Sequence, residues 1–152
     1  MSDTKPPTQT YKASCHCGAF AYDVTTAPLN HEGTEVVRCN CSICTRNGYL
    51  LIYVPDDAVT FTSGAFEDLK SYTFATHSVA HYFCASCGSS CMARSIRPGF
   101  FEGMKVVNVR LFEDLELDKL KFKEMDGRSY TKESAEARVA EIEREKEVRE
   151  AL

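Results

Sequence analysis

The chain has 152 residues, 43% of them apolar and 26% charged, with a net charge of -4 at pH 7, which fits one domain with a buried core. The acidic balance argues against a nucleic-acid-binding surface, which needs clustered Lys and Arg. No apolar run reaches the roughly 20 residues of a membrane span, and the polar residues 1–10 carry two prolines and no apolar signal core. Those ten residues are read as a disordered lead-in, and the expected location is cytoplasmic.

Residues 11–15 and 18–25 read as strands around a first thiol pair, Cys15-His16-Cys17. Phe20, Tyr22 and Val24 alternate with Ala19, Ala21 and Asp23, the period-2 pattern of a half-buried strand. Residues 34–38 form a short strand feeding Cys39-Asn40-Cys41-Ser42-Ile43-Cys44. Thr45-Arg46-Asn47-Gly48 then reads as a turn, because Asn and Gly tolerate positive φ. Residues 49–54 are an almost continuous apolar strand ended by Pro55. Val59 with Phe61 and Tyr72 with Phe74 alternate in two more strands. Residues 80–84 run into Cys84-Ala85-Ser86-Cys87, residues 91–95 leave it, and residues 104–111 are the last strand. Residues 131–152 hold no Gly or Pro and are rich in Glu, Arg, Lys and Ala, so a helix is expected, with Ala135, Val139 and Ile142 as a narrow apolar stripe. The organisation is a domain over residues 11–125 and a charged helix over 126–152. The fold class is mainly β with a C-terminal helix.

The eight cysteines carry most of the functional signal. Without a secretion signal the thiols meet a reducing environment, where disulfides are rare. A Cys-x-Cys pair is also badly placed to bridge itself. Clustered thiols then point to metal, and soft sulfur favours zinc. Cys15, Cys17, Cys84 and Cys87 supply four ligands as one Cys-x-Cys and one Cys-x-x-Cys, which closes a structural site. Cys39, Cys41 and Cys44 are three ligands from one segment, and three ligands with one exchangeable position is the arrangement of a catalytic zinc. The competing reading closes that site with a fourth ligand, Cys91 first, then His16, His31, His77 or His81. Cys91 is otherwise a buried apolar filler.

The segments "SCHCGAFAYDV", "RCNCSICTRNG" and "HYFCASCGSS" together resemble the glutathione-dependent formaldehyde-activating enzyme family, which includes centromere protein V. The resemblance covers residues 11–111 and all seven expected cysteines. It implies a β-tent, an antiparallel sheet folded over and pinned by zinc. It implies two zinc ions per chain, the structural one on Cys15, Cys17, Cys84 and Cys87, the catalytic one on Cys39, Cys41 and Cys44. The implied activity is a carbon–sulfur lyase type, joining glutathione to formaldehyde as S-(hydroxymethyl)glutathione. Cys91 stands where the family commonly has an apolar residue, and the C-terminal helix lies outside the shared motif.

Three thiolates make zinc a poor Lewis acid, so its expected task is to hold and deprotonate the thiol of glutathione. Arg46, two residues past Cys44, is placed to meet a substrate carboxylate, with Arg94 a weaker candidate. Tyr49 and His81 are the candidate proton donors. The expected partners are a small-molecule thiol and an aldehyde, without nucleic acid or membrane, and a homo-oligomer stays open. The competing function is a non-catalytic, zinc-stabilised protein-binding module. A third reading is a zinc–thiol protein acting on another small thiol or aldehyde.

Overall fold

A computed structural model describes residues 7–30, 34–98, 101–130 and 132–152. Residues 1–6 of the expected lead-in, and His31 among the candidate ligands, lie outside the described residues. Among the described residues ten strands appear in chain order: β1 (Gln9–Ser14), β2 (Ala21–Thr26), β3 (Val36–Cys39), β4 (Leu51–Pro55), β5 (Val59–Ser63), β6 (Lys70–Tyr72), β7 (Val79–Phe83), β8 (Ser90–Ser95), β9 (Met104–Asn108) and β10 (Phe122–Met125). The helices are α1 (Ser42–Asn47) and α2 (Lys132–Ala151). The architecture is therefore mainly β with a C-terminal helix, and the cysteine clusters lie where they could act as knuckles.

Two sheets are formed, one of order β1-β2-β5 and one of order β10-β3-β4-β9-β8-β7-β6. Among the described residues every strand pairing is antiparallel except β10 with β3, which is parallel and sets Met125 opposite Cys39. The large sheet is covered on both faces at its centre. Leu50, Ile52 and Val54 point into the core shared with Tyr22, Val24 and Leu29. Tyr49, Leu51, Ala93 and Val106 point into a second cluster with Val37 and Cys44. Burial on both faces explains the apolar run at residues 49–52, since a strand with one wet face would alternate, whereas Tyr53 further along is exposed.

Three local readings change. The expected turn at residues 45–48 is the end of α1, closed by Gly48 in the left-handed region at φ 62°. Strand β9 stops at Asn108 and residues Val109–Leu111 turn as a 3-10 helix. Asn108 Oδ1 accepts from the amides of Leu50 at 3.3 Å and Arg110 at 3.2 Å, which draws the chain out of the ladder. Phe74 falls outside β6, on the loop that follows.

Helix α2 lies on the domain. Val139 and Ile142 are buried, and Arg97 pairs with Glu143 at 3.2 Å. The rest of its surface is charged and solvated, as the narrow stripe predicts.

Candidate metal centres

The sulfurs of Cys15, Cys17, Cys84 and Cys87 all lie within 4.8 Å of one another. Cys17 Sγ is 3.7 Å from both Cys15 Sγ and Cys84 Sγ. That matches the sulfur–sulfur edge of a ZnS4 tetrahedron, about 3.8 Å for zinc–sulfur bonds near 2.3 Å. Gly18 and Gly88 take φ of 82° and 78°, values open to glycine, and turn the chain after each pair. The turns bring donors back to the sulfurs: the Phe20 amide reaches Cys15 Sγ at 3.3 Å, and the Ser89 hydroxyl reaches Cys87 Sγ at 3.2 Å. Ser89 Oγ also accepts from the His16 amide at 3.0 Å, tying the two knuckles together.

Proton affinities within this cluster diverge. The Ser89 hydroxyl, with the amides of Cys17 and Ser89, holds Cys87 down to about 5. At Cys17 the Ala19 amide lowers the pKa, but the neighbouring thiols, Cys15 foremost, and desolvation push it up to about 11. Four thiols this close cannot all ionise beside one another unless a cation removes the repulsion. The donor set fits a divalent soft metal.

Cys39, Cys41 and Cys44 form a second group, again with all sulfurs within 4.8 Å. Strand β3 delivers Cys39, Cys41 stands at the N-cap of α1, and Cys44 is buried on its inner side. Burial pushes the Cys41 thiol up, but the amides of Cys44 and Ile43 and the adjoining thiols outweigh it and hold the group below the usual thiol range. Burial, then the Cys41 and Cys39 thiols, push Cys44 far up. Among the described residues no fourth Cys, His, Asp or Glu joins this group.

Cys91 is fully buried in the inner core with Cys15 and Cys84, on the opposite side of the large sheet from Cys44. Burial first, then the Cys15 charge, push its thiol up to about 12. It is a core residue and lies apart from the three-thiol group. His16 and His77 are exposed, and His77 Nδ1 bonds Thr73 Oγ1 at 2.8 Å. Arg94 is engaged by Asp56 at 2.9 Å, which removes it as a carboxylate receptor.

One part of this site has no counterpart in the sequence reading. The turn after β10, residues 126–130, packs onto Cys39 and Cys41. Asn40 Nδ2 donates to Asp126 Oδ1 at 2.9 Å, and the Arg128 amide donates to Asn40 Oδ1 at 2.8 Å. A Cβ on Gly127 would stand 2.5 Å from Cys39 Sγ and 2.9 Å from Cys41 Cβ, so only glycine lets the turn lie there. The Asp-Gly pair was a legible turn signal, but its contact lies some 86 residues back in the chain.

Two cavities of about 720 Å³ each flank α1. One exposes Cys41 and is lined by Arg46, Gly127, Arg128 and Ala135. The other is lined by Arg46, Tyr49, Tyr72, Phe74 and His81. The Tyr49 hydroxyl and His81 Nδ1 are 3.1 Å apart. Burial pushes Tyr49 up to about 12 and lowers His81, so at neutral pH the phenol keeps its proton and the imidazole is uncharged.

The sequence profile of the glutathione-dependent formaldehyde-activating enzymes matches residues 10–133. The chain belongs to that family. Its match extends past the expected limit at residue 111 and takes in β10 and the Gly127 turn, so both lie inside the family's domain. A crystal structure of a protein from Rhodobacter sphaeroides is 30% identical, superposes with a TM-score of 0.60, and covers 75% of this chain and 98% of its own. Membership in the formaldehyde-activating family fits two cysteine clusters that could each hold a metal ion. Among the described residues no helix is long and apolar enough to cross a membrane.

Proposed function

We propose that this member of the formaldehyde-activating family joins glutathione to formaldehyde at a zinc ion held by Cys39, Cys41 and Cys44, in a carbon–sulfur lyase-type reaction. A second zinc on Cys15, Cys17, Cys84 and Cys87 pins the two sheets. The observation that carries the reading is the three-thiol group with no fourth protein ligand among the described residues. Bound there, zinc would supply one open coordination position and lower the pKa of a thiol entering it.

The chain's own groups divide the remaining work. Arg46 and Arg128 line the cavity at Cys41, whose described lining holds no carboxylate, and they suit the two carboxylates of glutathione. Arg46 is only lightly committed, donating to Ser42 O at 3.2 Å. With the imidazole proton on Nδ1, His81 donates to the Tyr49 oxygen, which leaves the phenol proton free for the oxygen formed on the aldehyde carbon. The Gly127 turn lies against Cys39 and Cys41.

The reaction also runs unaided, so the test is the excess rate. Exchange NMR on glutathione and formaldehyde should show adduct formation well above background, and Cys41→Ser should lose about 100-fold or more. Glutathione binding without any acceleration would leave the non-catalytic protein-binding module instead.

A further inference from the structure

The cavity holding Tyr49 is much larger than the proposed aldehyde needs. Formaldehyde requires little more room than a water molecule, about 30 Å³, against a cavity of about 720 Å³. Its wall is made of rings: Tyr49, Tyr72, Phe74, His81, Tyr82 and Phe83. Four of them form a row. Tyr72 and Phe74 have centroids 5.7 Å apart at 20°, Phe74 and His81 5.7 Å at 28°, and His81 and Tyr49 5.8 Å at 19°. The row runs from Tyr72, half exposed, to Tyr49, buried beside Cys44. Tyr72 and Phe74 present ring faces to solvent, surface on which a planar group can stack.

The neighbouring cavity at Cys41 has the opposite character, with two guanidinium groups and no acid among its described lining residues. The two cavities meet at Ser42, Arg46 and Phe74. Charge and apolarity are thus separated on either side of α1.

We propose that the ring-lined cavity receives an aromatic substituent carried by the aldehyde, so that aryl-substituted aldehydes are substrates beside formaldehyde. This rests on the reading of Cys39, Cys41 and Cys44 as the thiol-binding site. The step is an addition, with no oxidant or reductant: the thiol sulfur bonds the carbonyl carbon, the C=O π bond breaks, the new oxygen takes the Tyr49 proton, and the proton released by the thiol restores the phenol. The hemithioacetal then places sulfur, one carbon and a ring in sequence, with the charged glutathione arms at Arg46 and Arg128.

S-benzylglutathione has that same order of atoms without the hydroxyl, and S-methylglutathione lacks only the ring. Both are titrated calorimetrically into the full-length, metal-loaded protein. The benzyl compound should bind about tenfold tighter. Tyr72→Ala with Phe74→Ala should bring the ratio to about one, and Tyr72→Ala alone should give an intermediate ratio if the double variant does not fold. Equal affinities in the unmutated protein, exclusion of the benzyl compound, or a ratio that survives loss of the rings overturns the inference. Ring-dependent binding of the benzyl compound with no binding of glutathione would support the aromatic site while overturning the glutathione reading.

Discussion

Gly127 governs how closely the turn after β10 approaches the thiols. The contact of a Cβ with Cys39 Sγ, at 2.5 Å, is too short to absorb without displacing the sulfur or the turn. Gly127→Ala should therefore lower zinc content from about two ions per chain to about one with the fold kept, read by metal analysis and circular dichroism. Retention of both ions would show that the turn moves instead. Arg128, brought in by the same turn, should matter to substrate and not to metal. Arg128→Gln is expected to weaken glutathione about tenfold while leaving 2-mercaptoethanol unchanged, in parallel calorimetric titrations. Residue type and spacing made the two groups of clustered cysteines legible in the sequence. The placement of Gly127 and Arg128 beside them was not, because it comes from pairing across some 86 residues rather than from a local pattern.

Among the elements, the short 3-10 turn at Asp56–Ala58 and helix α2 make opposite cases. Asp56 bridges two strands, pairing with Arg94 of β8 at 2.9 Å and Lys105 of β9 at 3.0 Å. Partial burial opposes ionisation, but the two cations outweigh it and hold the carboxyl below its ordinary range. A carboxyl with a depressed folded-state pKa stabilises the fold above its unfolded value, near 3.9, and loses that contribution as pH falls through the folded value. Urea unfolding should lose roughly 1 kcal/mol on this account below about pH 4, and Asp56→Asn should flatten that limb. Identical acid limbs would contradict the bridge. Helix α2 binds through Val139 and Ile142, so ending the chain at residue 130 should cost about 3 kcal/mol and spare the metal sites. Unchanged stability would mean that the buried stripe contributes nothing. The helix and most strands were legible from periodicity. Helix α1 was not, since a Cys-x-x-Cys segment suits a turn equally well, and neither was β10, whose parallel partner is β3.

At the scale of the molecule, the large sheet divides the chemistry. Cys15, Cys84 and Cys91 belong to the core between the sheets, whereas Cys39, Cys41 and Cys44 lie against its other face. Cys91 is thereby kept from the group it would otherwise complete, a separation the linear sequence cannot express. The four-thiol cluster joins residues 15–17 to residues 84–87, while the three-thiol group rests on one segment, so a metal held there would be lost locally. Mild chelation should remove one zinc with the fold intact, and the second only with unfolding. The account rests on the three-thiol site having a position left for an incoming thiol. The most direct test replaces zinc by cobalt and titrates glutathione while recording the sulfur-to-cobalt absorption. One additional thiolate per chain, saturating at one-to-one stoichiometry, is the predicted result. An unchanged spectrum at millimolar glutathione would mean that the site is closed or does not take the thiol, and would contradict the account.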